Sequence, residues 1–366
     1  MQTKLLALAV AGLIGAPALA QSSVNVYGVL DMGYRWSGDP IDPSVDNRSG
    51  IDSGTSAPSR LGFRGAEDLG NGLKAGFVLE QGIAADTGST VGGGTFSRQS
   101  FVSLSGAFGT FAAGRQYAPG YALTSSVDPF GGVTVGQYNN VYLTEYRWDN
   151  LLSYVSPSWG GFSVTAAFAQ NGYGNESKGN RGAGEVGDVR ALSVLPQYQQ
   201  GPLLVGVHFQ DLRAKSTGLR DGEKLRVYDL AGTYDFGVVK LAAAYGIRRA
   251  DRGDFSPDTG ASEGEKTRQW FVGVTVPVGQ AGKVLASYVA RKTEAVAATD
   301  DAKVSQWALG YEYALSKRTA VHATYAKLDN NRAARESANL FGSVSAGYNG
   351  YDGYQSGAAV GIRHLF

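Results

Sequence analysis

Along most of this chain, hydrophobic positions alternate with small or polar ones. The clearest run is Trp307, Leu309, Tyr311, Tyr313 and Leu315, separated by Gln306, Ala308, Gly310 and Glu312. Successive side chains of a strand point to opposite faces, so such a run has one oily face and one wet face. Val284, Ala286 and Tyr288 repeat the pattern around Ser287, and Tyr228, Leu230, Gly232 and Tyr234 repeat it against Asp229, Ala231, Thr233 and Asp235. Sixteen segments of this kind are predicted, near 24–36, 58–67, 71–84, 96–106, 109–116, 145–156, 161–171, 188–199, 203–213, 223–235, 239–250, 265–277, 282–294, 303–315, 319–329 and 354–366. Most come close to the roughly 9–11 residues that a tilted strand needs to cross a bilayer.

The connections alternate in length. Seven are short, such as Gly106-Ala107-Phe108-Gly109 and Leu315-Ser316-Lys317-Arg318, and eight are long and rich in Gly, Asp, Asn and Ser. An even-stranded barrel with both ends on one side of a membrane has this count. A soluble sandwich would also alternate. Three features favour a barrel. The oily faces carry Tyr, Trp, Val and Leu over many segments, the opposite faces carry Gly, Ala, Ser, Thr and charge, and Val360, Ile362, His364 and the final Phe366 share one face. Hydrocarbon offers the backbone no hydrogen-bond partner, so a spanning sheet must close on itself. At sixteen strands, side chains no longer fill the interior and a water channel remains.

Residues 1–20 read as a cleaved export signal: Lys4, an apolar stretch from Leu5 to Gly15, and Ala18-Leu19-Ala20 before Gln21. The barrel is then 21–366. Removing Lys4 from 33 basic residues leaves 32 against 32 acidic ones. A neutral chain lacks the basic surface of a nucleic-acid binder. With no cysteine, neither a disulfide framework nor a Cys-based metal site is available. His208, His322 and His364 lie far apart without metal-ligand spacing, and no cofactor is expected. Two motif matches fail on context. Gly260-Ala261-Ser262-Glu263-Gly264 lacks the strand and helix of a hydrolase elbow, and Gly182-Ala183-Gly184-Glu185-Val186-Gly187 lacks a following helix.

The opening Ser23-Val24-Asn25-Val26-Tyr27-Gly28-Val29-Leu30-Asp31, the block Ser59-Arg60-Leu61-Gly62-Phe63-Arg64-Gly65-Ala66-Glu67-Asp68-Leu69-Gly70-Asn71-Gly72, and the ending Val360-Gly361-Ile362-Arg363-His364-Leu365-Phe366 resemble Gram-negative general porins of the betaproteobacterial type. So does Ser126-Val127-Asp128-Pro129-Phe130-Gly131. The resemblance spans the mature chain. It implies an all-β, sixteen-stranded antiparallel transmembrane barrel in the outer membrane, bathed by lipid and lipopolysaccharide and assembled as a homotrimer. It also implies a long third loop, here near 117–144, folded into the lumen, and passive diffusion of small hydrophilic solutes and ions. Enterobacterial relatives carry an acidic residue beside the Pro-Phe-Gly-Gly of this loop; here only Asp128 does so, and their selectivity does not carry over.

Such a channel needs a hydrated wall carrying a field, not a catalytic group. The resemblance points to Arg60, Arg98, Arg115 and Arg147, near the long-loop ends of the second, fourth, fifth and sixth segments. Parity independently turns Arg60, Arg64 and Arg147 inward, because Leu61, Phe63, Leu152 and Tyr154 face lipid, and Asp31 shares the parity of Tyr27 and so faces the lumen from the first segment. Strict alternation from Val102 and Phe111 would place Arg98 and Arg115 outside; a bulge or a strand end would bring them in. Asp128 is the candidate acid on the inner loop, or equally a turn residue before Pro129. Four arginines against one loop acid predict weak anion preference. A barrel enzyme or an adhesin is the alternative reading.

Overall fold

The computed structural model describes residues 23–131, 135–174, 188–215, 223–252, 264–294, 300–336, 342–344 and 353–366. The expected export signal and both rejected motifs, apart from Gly264, lie outside the described residues. The strands in chain order are β1 (Ser23–Pro40), β2 (Arg48–Ser53), β3 (Arg60–Gly70), β4 (Leu73–Ala84), β5 (Ser89–Val91), β6 (Gln99–Gly106), β7 (Gly109–Tyr117), β8 (Arg147–Val155), β9 (Phe162–Ala169), β10 (Asp188–Gln200), β11 (Leu203–Lys215), β12 (Lys224–Asp235), β13 (Lys240–Arg252), β14 (Lys266–Val278), β15 (Gly282–Glu294), β16 (Ala302–Ala314), β17 (Thr319–Asn330) and β18 (Tyr354–Leu365).

These strands form one antiparallel sheet of sixteen staves. Two staves are interrupted. β2 and β3 both pair with β1, and β5 and β6 both pair with β4. Residues 54–59 and 92–98 are the interruptions, which the alternation did not anticipate. The barrel closes where β1 pairs with β18, from Val29 opposite Leu365 to Pro40 opposite Tyr354. The backbones of Gly28 and Phe366 exchange two hydrogen bonds of 3.1 Å there. No free sheet edge remains, as a hydrocarbon setting demands.

The two faces differ as the alternation requires. On β16, Trp307 and Leu309 are exposed while Gln306 and Ala308 are buried. The interior burial comes largely from residues 118–131 and 135–146, in the connection between β7 and β8. It enters the barrel as α1 (Pro119–Val127), a helix the sequence pattern did not show. Pro119 sits at its start, where a missing N–H costs nothing. Leu123 lies against Gly206 and Leu195, Pro129 against Gly273, Phe130 against Gly310, Gly136 against Ala308, and Val135 against Gly357. Inward glycines and alanines thus make room for the loop on β11, β14, β16 and β18. A short helix, α2 (Arg332–Glu336), follows β17 and buries Ala334 in the same cluster as Val304 and Leu328.

Candidate functional site

The inner loop lies along one arc of the wall and leaves another bare. Its return arm is fastened by one polar side chain from each of five consecutive staves. Asp229 on β12 accepts from the Tyr142 hydroxyl at 2.6 Å. Arg248 on β13 pairs with Glu145 at 3.2 Å. Gln269 on β14 bonds both the N–H and the carbonyl of Leu143, at 2.8 and 2.9 Å. Arg291 on β15 donates to the Val141 carbonyl at 3.1 Å. Gln306 on β16 donates to the carbonyls of Gly136 and Gln137 and accepts from Asn140. This satisfies backbone groups that the loop buries inside the barrel.

The bare arc, β1 to β8, holds a compact charged cluster. Its centre is Glu80 on the unbroken β4, between the two interrupted staves. Arg98 donates to Glu80 at 2.7 Å, Arg60 lies 3.5 Å from the other carboxylate oxygen, and the Tyr27 hydroxyl donates at 3.0 Å. Arg98 also reaches the Tyr117 hydroxyl at 2.6 Å, and Arg147 reaches the same oxygen at 3.2 Å. The Arg147 guanidinium stacks 4.6 Å from the Tyr117 ring, and Arg64 lies 5.1 Å from the Tyr27 ring. Arg60 remains 27% exposed and Arg98 only 6%. One buried carboxylate thus pairs directly with Arg98 and Arg60, while Tyr27 and Tyr117 bring Arg64 and Arg147 alongside.

Arg60, Arg64, Arg98 and Arg147 are thus brought together. Arg98 escapes strict alternation because β6 begins after it, at Gln99. The break at 92–98 frees its side chain to turn toward Glu80. The other three candidates stand apart from this cluster. Arg115 does not join the cluster. It donates to the Ser97 carbonyl and pairs with Asp149, at a bulge where the β7–β8 register shifts and Asn150 takes a positive φ of 52°. Asp31 does point inward, but it is fully buried rather than facing water. The segment 54–59 covers it: Thr55 and the Ser56 N–H donate to its carboxylate, and His322 lies 3.3 Å away. Asp128 takes the turn role. Its carboxylate accepts the N–H groups of Phe130 and Tyr138 at 3.1 and 3.3 Å, which spends it inside the loop.

Glu80, Tyr27 and Tyr117 were not singled out from the sequence. One signal for Glu80 was available: a lone acid at inward parity in Phe77-Val78-Leu79-Glu80-Gln81. A further set escaped because its members are far apart in sequence. The Ser193 hydroxyl bonds His208 at 2.9 Å, and the other ring nitrogen bonds Asp229 at 2.9 Å. The order is that of a hydrolytic triad, yet Ser193 is fully buried beneath the inner loop. Among the described residues, no group of three or more His, Cys, Asp or Glu could hold a metal ion.

An oily-outside, closed sheet around a polar interior, crossed by an inner loop beside an arginine cluster, defines a transmembrane β-barrel channel. The model of the Gram-negative porin family matches residues 7–333, and the chain belongs to that family. It is 35% identical over 377 residues to outer membrane porin protein 32 of Delftia acidovorans, with both chains covered completely. It is 30% identical to the major outer membrane protein P.IB of Neisseria gonorrhoeae, over 91% of this chain and 95% of the relative. Among solved structures, the anion-selective porin from Comamonas acidovorans superposes with a TM-score of 0.76 at 32% identity, covering 94% of this chain and 100% of that one. The protein is an integral outer-membrane β-barrel that forms a porin channel.

Proposed function

We propose that this porin passes small hydrophilic solutes with a preference for anions. The observation that carries the reading is the bare-arc cluster: of Arg60, Arg64, Arg98 and Arg147, only Arg60 and Arg98 pair with Glu80, while Arg64 and Arg147 lie against Tyr27 and Tyr117. Guanidinium groups stay charged at every physiological pH, and a narrow low-dielectric wall focuses their field on passing ions. The solved relative from Comamonas acidovorans, described as anion-selective, supports it. Reversal potentials across planar bilayers in a potassium chloride gradient test it. The expected sign is that of chloride permeating faster; the potassium sign would overturn it. The buried Ser193–His208–Asp229 set is read as structural, so the chain acts as a channel and not as an enzyme.

The assembly proposed is a homotrimer set in lipid and lipopolysaccharide, made after cleavage of residues 1–20. Residues 60–116 contain no Tyr or Trp at all. The staves they form, β3, β4, β6 and β7, therefore lack the outward Tyr and Trp of a lipid-facing girdle, and Phe108 and Phe111 at the turn end are their exposed aromatics. By contrast Tyr228, Tyr245, Trp270, Tyr288, Trp307 and Tyr325 are exposed on β12 to β17. The girdle-free arc instead has an apolar depression of about 620 Å³ floored by Gly65, Ala66, Ala75 and Ala113 and flanked by Phe77, Val102 and Phe111. A wall built for protein rather than lipid supports contact with other copies there. Conductance rising in steps of three supports the trimer, and single independent steps count against it.

A further inference from the structure

The inner loop meets the wall through one relay that the porin activity does not by itself require. Four side chains from separate parts of the chain line up: Ser193 on β10, His208 on β11, Asp229 on β12 and Tyr142 on the return arm. The links are 2.9 Å from Ser193 to His208, 2.9 Å from His208 to Asp229, and 2.6 Å from Tyr142 to Asp229. Exposures are 0%, 1%, 4% and 0% in that order. The two arms of the loop both rest on this relay. The His208 ring lies directly under Gly120, in the first turn of α1, so that any side chain at 120 would strike it. The Tyr142 hydroxyl and the Asp229 carboxylate together occupy the space above Gly246 on β13. The charged group on the neighbouring strand, Arg248, is already paired with Glu145 of the return arm.

We propose that this relay is the latch that sets the position of the inner loop, with Asp229 as its positioning residue. The other four fasteners of the return arm each hold that arm alone. Asp229 differs because it binds Tyr142 on one carboxylate oxygen and His208, beneath the entering helix, on the other. Losing it releases both arms at one point. A buried hydrogen-bonding group left without its partner favours the displaced loop, since only there can water reach it. The released loop has one direction to go, away from the clad wall and into the passage beside Glu80 and its arginines. The latch needs an acceptor toward Tyr142 and a hydrogen-bonding atom toward His208, but it does not need the charge. An amide at 229 can accept from Tyr142 and donate to His208, whose two ring nitrogens then exchange roles toward Ser193.

Single-channel recording of Tyr142→Phe, Asp229→Leu and Asp229→Asn tests this, with heat-modifiable electrophoretic mobility reporting that each barrel has formed. Tyr142→Phe removes one hydroxyl and leaves the barrel strands untouched, so it decides the matter even if Asp229→Leu fails to assemble. Tyr142→Phe and Asp229→Leu should raise open-channel current noise several-fold and close at lower voltage, while Asp229→Asn should behave like the parent. Parental noise and closing voltage in Tyr142→Phe would overturn the latch. So would an Asn variant as noisy as the Leu variant, which would make the charge, not the bonding pattern, the essential part. These readouts do not depend on ion preference, so the proposal stands or falls separately from anion selectivity.

Discussion

The two arcs of the inner wall solve opposite problems with similar residues. On the clad arc, β10 to β16, polar side chains are consumed by the loop: Asp229, Arg248, Gln269 and Gln306 all end on loop atoms. On the bare arc, the inward residues bond one another around Glu80 and leave Arg60 and Arg64 in contact with water. An inward arginine is therefore not by itself a pore charge. Arg291 and Arg248 are as cationic as Arg60, yet the loop covers them. What separates the two classes is whether residues 118–131 and 135–146 lie in front.

Charge reversal should break this comparison most strongly. Arg60→Glu combined with Arg64→Glu should invert the sign of the reversal potential in a salt gradient. The same reversal at Arg291 should leave ion preference near parental while loosening the loop. A second contrast uses volume. Gly273 meets Pro129 so closely that an added Cβ would lie 2.6 Å from the proline ring. Gly273→Val should push the loop toward the bare arc and lower conductance, whereas enlarging Gly50, which has nothing within 4 Å, should leave it unchanged. Outside the barrel, Leu309→Arg faces lipid and should cost about 2–4 kcal/mol near the midplane, measured by urea unfolding in detergent or vesicles. Val102→Arg on the girdle-free arc should instead show mainly as loss of the trimer in unheated electrophoresis. The smallest effect is expected at Asp128→Asn. Its carboxylate serves two loop N–H groups, so ion preference should hardly move, and a large cation-to-anion shift would return Asp128 to the pore.

Strand positions were readable because period-two patterning reports a local property, the alternation of faces. The run from Trp307 to Leu315 needs no tertiary information to be seen as a two-faced strand, and β16 ends at Ala314, one residue short of it. The helix α1 was hidden because it is only nine residues long and its buried face mixes Leu123 and Val127 with Gly120 and Thr124, a short stripe of low apolar contrast. The breaks at 54–59 and 92–98 were hidden for a different reason. The predicted segments begin at 58 and 96, so the short pieces β2 and β5 beyond each break fell in stretches taken as loops. Arg60 and Arg147 could be picked out by parity, but the organising carboxylate could not. Glu80 gains its role from Arg98, 18 residues away, and that contact exists only because a stave is interrupted.

The account rests on water running beside the arginine cluster and not behind the loop. The chain has no cysteine, so single thiols can be placed without background. Arg64→Cys and Ala308→Cys should be recorded in bilayers during addition of a charged, membrane-impermeant thiosulfonate. Arg64→Cys should react quickly and change the open current stepwise, while Ala308→Cys, 2% exposed against Gly136, should stay silent. Rapid current change at position 308 with none at position 64 would contradict the account.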